Sequence, residues 1–145
     1  MKIIIKESQE FKENEIEIRC SHYDESIQQL ENYIYKYNDT LVCKKTNRSS
    51  SIPIHLIYYI ESIDNKSFVY TKDDCYETHY PLYELEDLLK DHQCIRISKS
   101  CIFNIHYLKS VKALFNGKYE ALLINDEKLI ISRRYVSDFK NVFGL

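Results

Sequence analysis

The sequence predicts a strand-rich α+β protein, and three observations carry that expectation. Aromatic residues are abundant and backbone punctuators scarce: 13 Tyr and 6 Phe stand against 2 Gly and 2 Pro in 145 residues. Aromatic and β-branched side chains favour the pleated, half-buried surface of a sheet. Many short segments alternate apolar and polar residues with period two, the mark of a strand with one face in a core. Only a few stretches carry the 3.6-residue apolar stripe of a helix.

Taken in order, residues 2–6 and 15–20 read as strands, the second with clean alternation in Glu15-Ile16-Glu17-Ile18-Arg19-Cys20. Asp24 to Tyr37 reads as a helix, with Ser21 or Asp24 as cap, acids in the first turn, and Ile27, Leu30, Ile34 and Tyr37 at helical spacing. Leu41-Val42-Cys43 begins another strand. Residues 1–46 thus form a small expected β-β-α-β unit, a cap with no chemical motif. Thr46-Asn47-Arg48-Ser49-Ser50-Ser51 is the longest polar, loop-like stretch and the expected boundary. Residues 52–145 make the second unit.

That second unit opens with the apolar run Ile54–Ile60, followed by a hairpin turning at Asp64-Asn65-Lys66 into Ser67–Thr71, and by a strand over Cys75–Tyr80. Pro81 opens a helix striped with Leu82, Leu85, Leu88 and Leu89. A strand from Cys94 follows. Residues 105–115, 118–124 and 128–132 read as a meander with turns at Asn116-Gly117 and Asn125-Asp126. A short helix over Val136–Phe143 stops at Gly144.

The strand from Cys94 contains the most informative irregularity. Ile95 and Ile97 define a buried face with Arg96 on the wet side, but Lys99 falls on the isoleucine parity. An unpaired lysine in a core carries a heavy desolvation cost. The chain must therefore turn or bulge at Ser98-Lys99-Ser100, presenting a cation between two hydroxyls on a rigid base. Two more polar clusters stand at strand ends: Asn65-Lys66-Ser67 and Ser132-Arg133-Arg134. Adjacent arginines suit a division of labour, one against phosphate and one reading guanine in a bidentate fork. Lysine and serine suit backbone positioning.

Charge is unevenly spread. Residues 1–95 hold 11 Lys/Arg against 18 Asp/Glu, a balance of −7, and residues 96–145 hold 9 against 4, a balance of +5. A basic segment on an acidic body focuses anions onto one surface. Enzyme classes find little support. With 2 glycines the chain has no phosphate-cradling loop, and no G-x-S-x-G occurs. The 5 histidines lie in different elements, and the 5 cysteines form no C-x-x-C pair, so reduced thiols and no metal are expected. Neither a cofactor nor a small-molecule ligand is evident. No apolar run is long enough to cross a membrane, and the N-terminal Lys2–Glu7 does not make a signal peptide. A cytoplasmic, non-enzymatic protein is expected.

Four segments in this order, Ile60-Glu61-Ser62 before a turn, Tyr83-Glu84-Leu85-Glu86-Asp87-Leu88-Leu89, the run from Arg96-Ile97-Ser98-Lys99-Ser100 to Asn104, and Ile131-Ser132-Arg133-Arg134-Tyr135, carry a resemblance. On them, residues 54–143 resemble a LytTR-type DNA-binding domain. The resemblance implies a transcription regulator with elongated antiparallel sheets and short helices that reads duplex DNA through loops, as a homodimer on repeat sites. It places Arg134 as the base-reading arginine and Lys99 in the major groove, with Lys66 or Ser67 near the first contacting loop. Ser98 stands where many members carry histidine. Ser100, Ser132 and Arg133 match phosphate holders, and Asn104 matches the family asparagine that ends the same run. It also implies a stand-alone type in which residues 1–46 replace a receiver domain; a unit of under about 50 residues buries little core alone, so this cap is expected to dimerise. The competing expectation is a dimeric adaptor whose basic face meets a protein and not DNA.

Overall fold

A computed structural model describes residues 1–145. Its elements are α1 (Glu25–Lys36), β1 (Thr40–Lys45), β2 (Arg48–Pro53), β3 (Tyr59–Ile63), β4 (Lys66–Tyr70), β5 (Cys75–Thr78), α2 (Leu82–Leu89), β6 (Cys94–Ser98), β7 (Cys101–Asn104), β8 (Leu108–Ala113), β9 (Tyr119–Leu123), β10 (Lys128–Ile131) and α3 (Arg133–Phe143). Single 3-10 turns, Ile54–Leu56 and Ile105–Tyr107, precede β3 and β8. No helix is long and apolar enough to cross a membrane.

All strand pairings are antiparallel. One sheet has seven strands in the order β2-β1-β5-β4-β3-β7-β6, and a second has three in the order β10-β9-β8. The larger sheet is apolar on both faces. On one face, Leu41, Ile52, Ile60, Val69 and Ile102 pack with Leu82, Leu85 and Leu89 of α2. On the other, Tyr59, Ile97 and Phe103 meet Ala121, Leu123 and Ile131 of the smaller sheet and Phe139 of α3. β7 serves both layers, Ile102 facing α2 and Cys101 and Phe103 facing α3, and all four of its residues are buried. Such a strand reads as a continuous apolar run because neither face is wet. Burial pushes the thiols of Cys94 and Cys101 up to about 12 and that of Cys43 up to about 11, so these three are packing groups and poor nucleophiles. The expectation of reduced cysteines agrees with five free thiols.

Several local expectations change. Residues 2–6 and 15–20 form no strand and pair with nothing. Alternation alone does not make a strand; a ladder partner does. The polar stretch at 46–51 is not a loop. Thr46 and Asn47, with φ of 52° and 63°, form a two-residue turn, and Arg48–Pro53 returns along β1 as an edge strand. Polar, exposed residues suit such an edge. The hairpin spans the expected boundary, and Lys44 of β1 faces Glu77 of β5 within the larger sheet. In α2, Leu88 is half exposed while Leu82, Leu85 and Leu89 are buried.

α1 is capped as expected, the Asp24 carboxylate accepting from Ile27 N–H at 3.1 Å. It buries no residue. The chain leaving it is held by polar contacts: His55 stacks on Tyr37 at 4.1 Å and donates from Nδ1 to its carbonyl at 3.1 Å, and His92 Nε2 meets Asp39 at 2.8 Å.

Candidate nucleic-acid interface

The end of the molecule that carries Lys99 is organised by an irregularity in β6. The β6–β7 register runs Cys94↔Asn104, Ile95↔Phe103, Arg96↔Ile102 and then Ser98↔Cys101, a shift that leaves Ile97 as the extra residue of a bulge. Ile97 remains fully buried. The bulge therefore keeps the isoleucine in the core and moves Lys99 and Ser100 into an exposed two-residue turn. Ser98 Oγ accepts from the Ser100 N–H at 3.2 Å and fixes the turn from inside.

Arg96 holds this turn from behind. Its side chain is only 15% exposed, not on a wet face as the alternation implies. Its Nε donates to the Ser98 carbonyl at 2.6 Å and one terminal nitrogen to the Lys99 carbonyl at 2.5 Å. The other terminal nitrogen reaches Glu86 of α2 at 3.1 Å. A planar fork with fixed donors suits this three-way clamp, and a lysine would not replace it. The signal in the sequence was parity: Arg96 shares its face with the buried Cys94, and a buried guanidinium requires partners.

Two backbone bonds bring the three polar clusters together. Ser62 N–H donates to the Ser100 carbonyl at 2.8 Å, tying the β3–β4 hairpin to the β6–β7 turn. Ser132 N–H donates to the Ile97 carbonyl at 2.9 Å, tying the start of α3 to the bulge. The β3–β4 turn itself is Asp64-Asn65, with φ of 50° and 60°, the left-handed pair that a tight hairpin requires. Lys66 follows it and is exposed.

Arg133 and Arg134 are not at a strand end, as expected, but are the first two residues of α3. Ser132 precedes them without a side-chain cap bond, and no acid lies in the first turn. Cations beside the positive end of a helix dipole are unfavourable by a few tenths of a kcal/mol each, at about the scale of such dipole effects. A helix start that exposes N–H groups and two guanidiniums is instead suited to an anion. The helix begins three residues before the Val136 start expected from the sequence. Both arginines are exposed, with Arg134 lying 5.9 Å from the Tyr135 ring. None of Lys66, Lys99, Arg133 and Arg134 is in an ion pair.

Of the nine expected site residues, Lys66, Lys99, Ser100, Arg133 and Arg134 are exposed, and Ser98 and Ser132 are half-buried supports. Two are not presented to solvent. Ser67 is 3% exposed behind Lys66. Asn104 is also 3% exposed and lies at the opposite end of β7 from the Lys99 turn. Its amide donates to the Ile57 carbonyl at 3.1 Å and its Oδ1 accepts from His106 N–H at 3.0 Å, so it staples two crossing segments.

Comparison with known proteins follows this geometry. Residues 47–144 match the family described as the LytTr DNA-binding domain. The chain is 36% identical over 77 residues to the transcriptional regulatory protein LytR of Staphylococcus aureus, covering 53% of this chain and 31% of that protein. It is 30% identical over 94 residues to the sensory transduction protein LytT of Bacillus cereus, covering 65% of this chain and 38% of that protein. The chain thus spans about a third of the length of these curated relatives. A solved LytTr DNA-binding domain from Bacillus cereus superposes with a TM-score of 0.70 at 25% identity, over 74% of this chain and 98% of that one. A shared strand-rich fold, and a sequence match running from the β1–β2 turn to the last helix, have one reading: the chain belongs to the LytTR DNA-binding domain family.

Proposed function

We propose that this protein is a cytoplasmic transcription regulator that binds duplex DNA sequence-specifically through the tips gathered at the Lys99 end. The single observation that carries the reading is four unpaired cations, Lys66, Lys99, Arg133 and Arg134, on three tips tied to one another by backbone bonds. Lys99 and Arg134 read base edges in the major groove, and Arg133, Ser100 and Ser132 hold phosphates. Lys66 approaches the backbone from the first hairpin. Selection of bound sequences from a random duplex library tests this directly. A defined site is expected, with affinity falling as salt rises at a log–log slope of about −2 per protomer, for the two cations Lys66 and Arg133 placed on phosphates. Recovery of no site and a flat salt response would leave the adaptor reading standing.

We further propose that residues 1–46 associate with a second copy, giving a homodimer that spans repeat sites. Ile3, Ile4, Ile5, Phe11 and Ile16 are all exposed, and Ile27, Leu30 and Ile34 of α1 are only half covered. Apolar surface left open in one copy is the material of an interface. Replacing Ile16 and Leu30 by lysine is expected to convert dimer to monomer in sedimentation at tens of micromolar, with the far-UV spectrum retained. A wild-type monomer at that concentration would refute the proposal.

A further inference from the structure

The most exposed large apolar side chain is Phe115, open over 106% of its reference surface. It lies in the β8–β9 turn, which the reading above does not use. The registers Ala113↔Tyr119 and Ile131↔Tyr119 place this turn and the start of α3 at the same end of the three-stranded sheet. The two touch. A Cβ added at Gly117 would stand 3.0 Å from Arg133 Cδ and 3.2 Å from Cγ, so the arginine stem lies across the turn. Gly117 has φ of 81°, where a side chain would be strained, and a Cβ there would also make the Arg133 stem give way.

The turn is well fixed. Leu114 N–H donates to the Lys118 carbonyl at 2.8 Å, and Lys118 N–H donates to the Asn116 carboxamide at 3.2 Å. Its charged neighbours are Lys118 and Arg133, neither in an ion pair, while Glu120 is taken by Lys112 at 3.7 Å. Isolated surface apolar residues are ordinary. A wholly exposed ring on a bonded turn that also carries Lys118 and lies against the Arg133 stem is a different case, because that surrounding favours a polyanion with an apolar face over an apolar protein partner. Duplex DNA has that composition: phosphates for Lys118 and Arg133, and deoxyribose between them for the ring.

We infer that Phe115 is a further DNA-contacting residue, its ring lying against the sugar face beside the phosphate held by Arg133. The inference rests on the DNA-binding reading above. The chain contains no tryptophan, so Phe115→Trp introduces a single emitter at this position. Titration with the duplex recovered by selection, with saturation followed independently by anisotropy of the labelled duplex, is expected to shift or quench that emission. Phe115→Ala is expected to weaken binding about tenfold, as for loss of one ring's worth of buried apolar surface. Its salt slope should stay at the wild-type value, because no charge is lost. Saturated binding with no change in Phe115→Trp emission would overturn this inference and leave the DNA reading intact. So would an unaltered Phe115→Ala affinity, a changed slope, or an emission shift that grows with protein concentration in the absence of DNA. Absence of any duplex binding by the wild type would overturn both.

Discussion

Replacing Arg134 by alanine is expected to weaken binding to the selected duplex by about 1–3 kcal/mol, roughly 5- to 150-fold, and to relax preference at one base position. The size is that of the bidentate guanidinium–guanine contact proposed for Arg134, which a truncated side chain cannot make in part. The fold should not register the change. Arg134 is exposed and makes no ion pair, and α3 is anchored by Phe139, which is fully buried, and by the Ser132–Ile97 backbone bond. Surface substitutions of that kind stay within about 0.5 kcal/mol in stability. Its neighbour provides the contrast. Arg133→Ala should weaken binding to all duplexes nearly equally and reduce the salt slope by about one. Repeating the selection with each variant separates the two roles. Retention of the full wild-type preference by Arg134→Ala, with its loss in Lys99→Ala, would move base reading to the β6–β7 turn.

The parts of this architecture that were legible in the sequence are those where a local conflict admits one resolution. Lys99 on the isoleucine parity demanded a break at Ser98-Lys99-Ser100, and the turn at Lys99-Ser100 is that break, while the bulge at Ile97 just before it was not expected. Asp24 and the apolar spacing after it defined α1 to within a residue. The misreadings share a different cause: each depended on a partner distant in sequence. Residues 15–20 alternate like a strand but have no neighbouring strand to bond. Arg48–Pro53 looks like a linker because an edge strand needs little apolar content. The burial of Ser67 and Asn104 is likewise set by strands that cross them, which local composition does not report. The start of α3 was hidden because the two arginines oppose the helix dipole, against the usual preference at a helix start. The adjacency of the three tips was beyond reach from spacing alone, since it rests on two backbone hydrogen bonds between elements about 30 residues or more apart.

Arg96 supplies the second large effect, although it is proposed to touch no DNA. Arg96→Met keeps the apolar stem and removes every donor, leaving the Ser98 and Lys99 carbonyls without their partner. Bonds from a charged donor make such a loss cost about 1.5–3 kcal/mol of stability, measurable by urea unfolding. Little of this should come from Glu86, whose carboxylate is 51% exposed, so Glu86→Gln is expected to cost at most about 1 kcal/mol. The functional consequence follows from the turn. Without the clamp, the Lys99 backbone must be ordered at the moment of binding, at about 1–2 kcal/mol for that one residue, while Ser100 keeps its bonds to Ser98 Oγ and Ser62 N–H. Duplex affinity should then fall about 5- to 30-fold under conditions where the variant is fully folded. A double-mutant cycle distinguishes this route from general damage. If Arg96 acts through the Lys99 turn, Arg96→Met should cost much less in a Lys99→Ala background than in the wild type. Full additivity of the two changes would show that Arg96 supports the fold alone and that the turn keeps its shape without it.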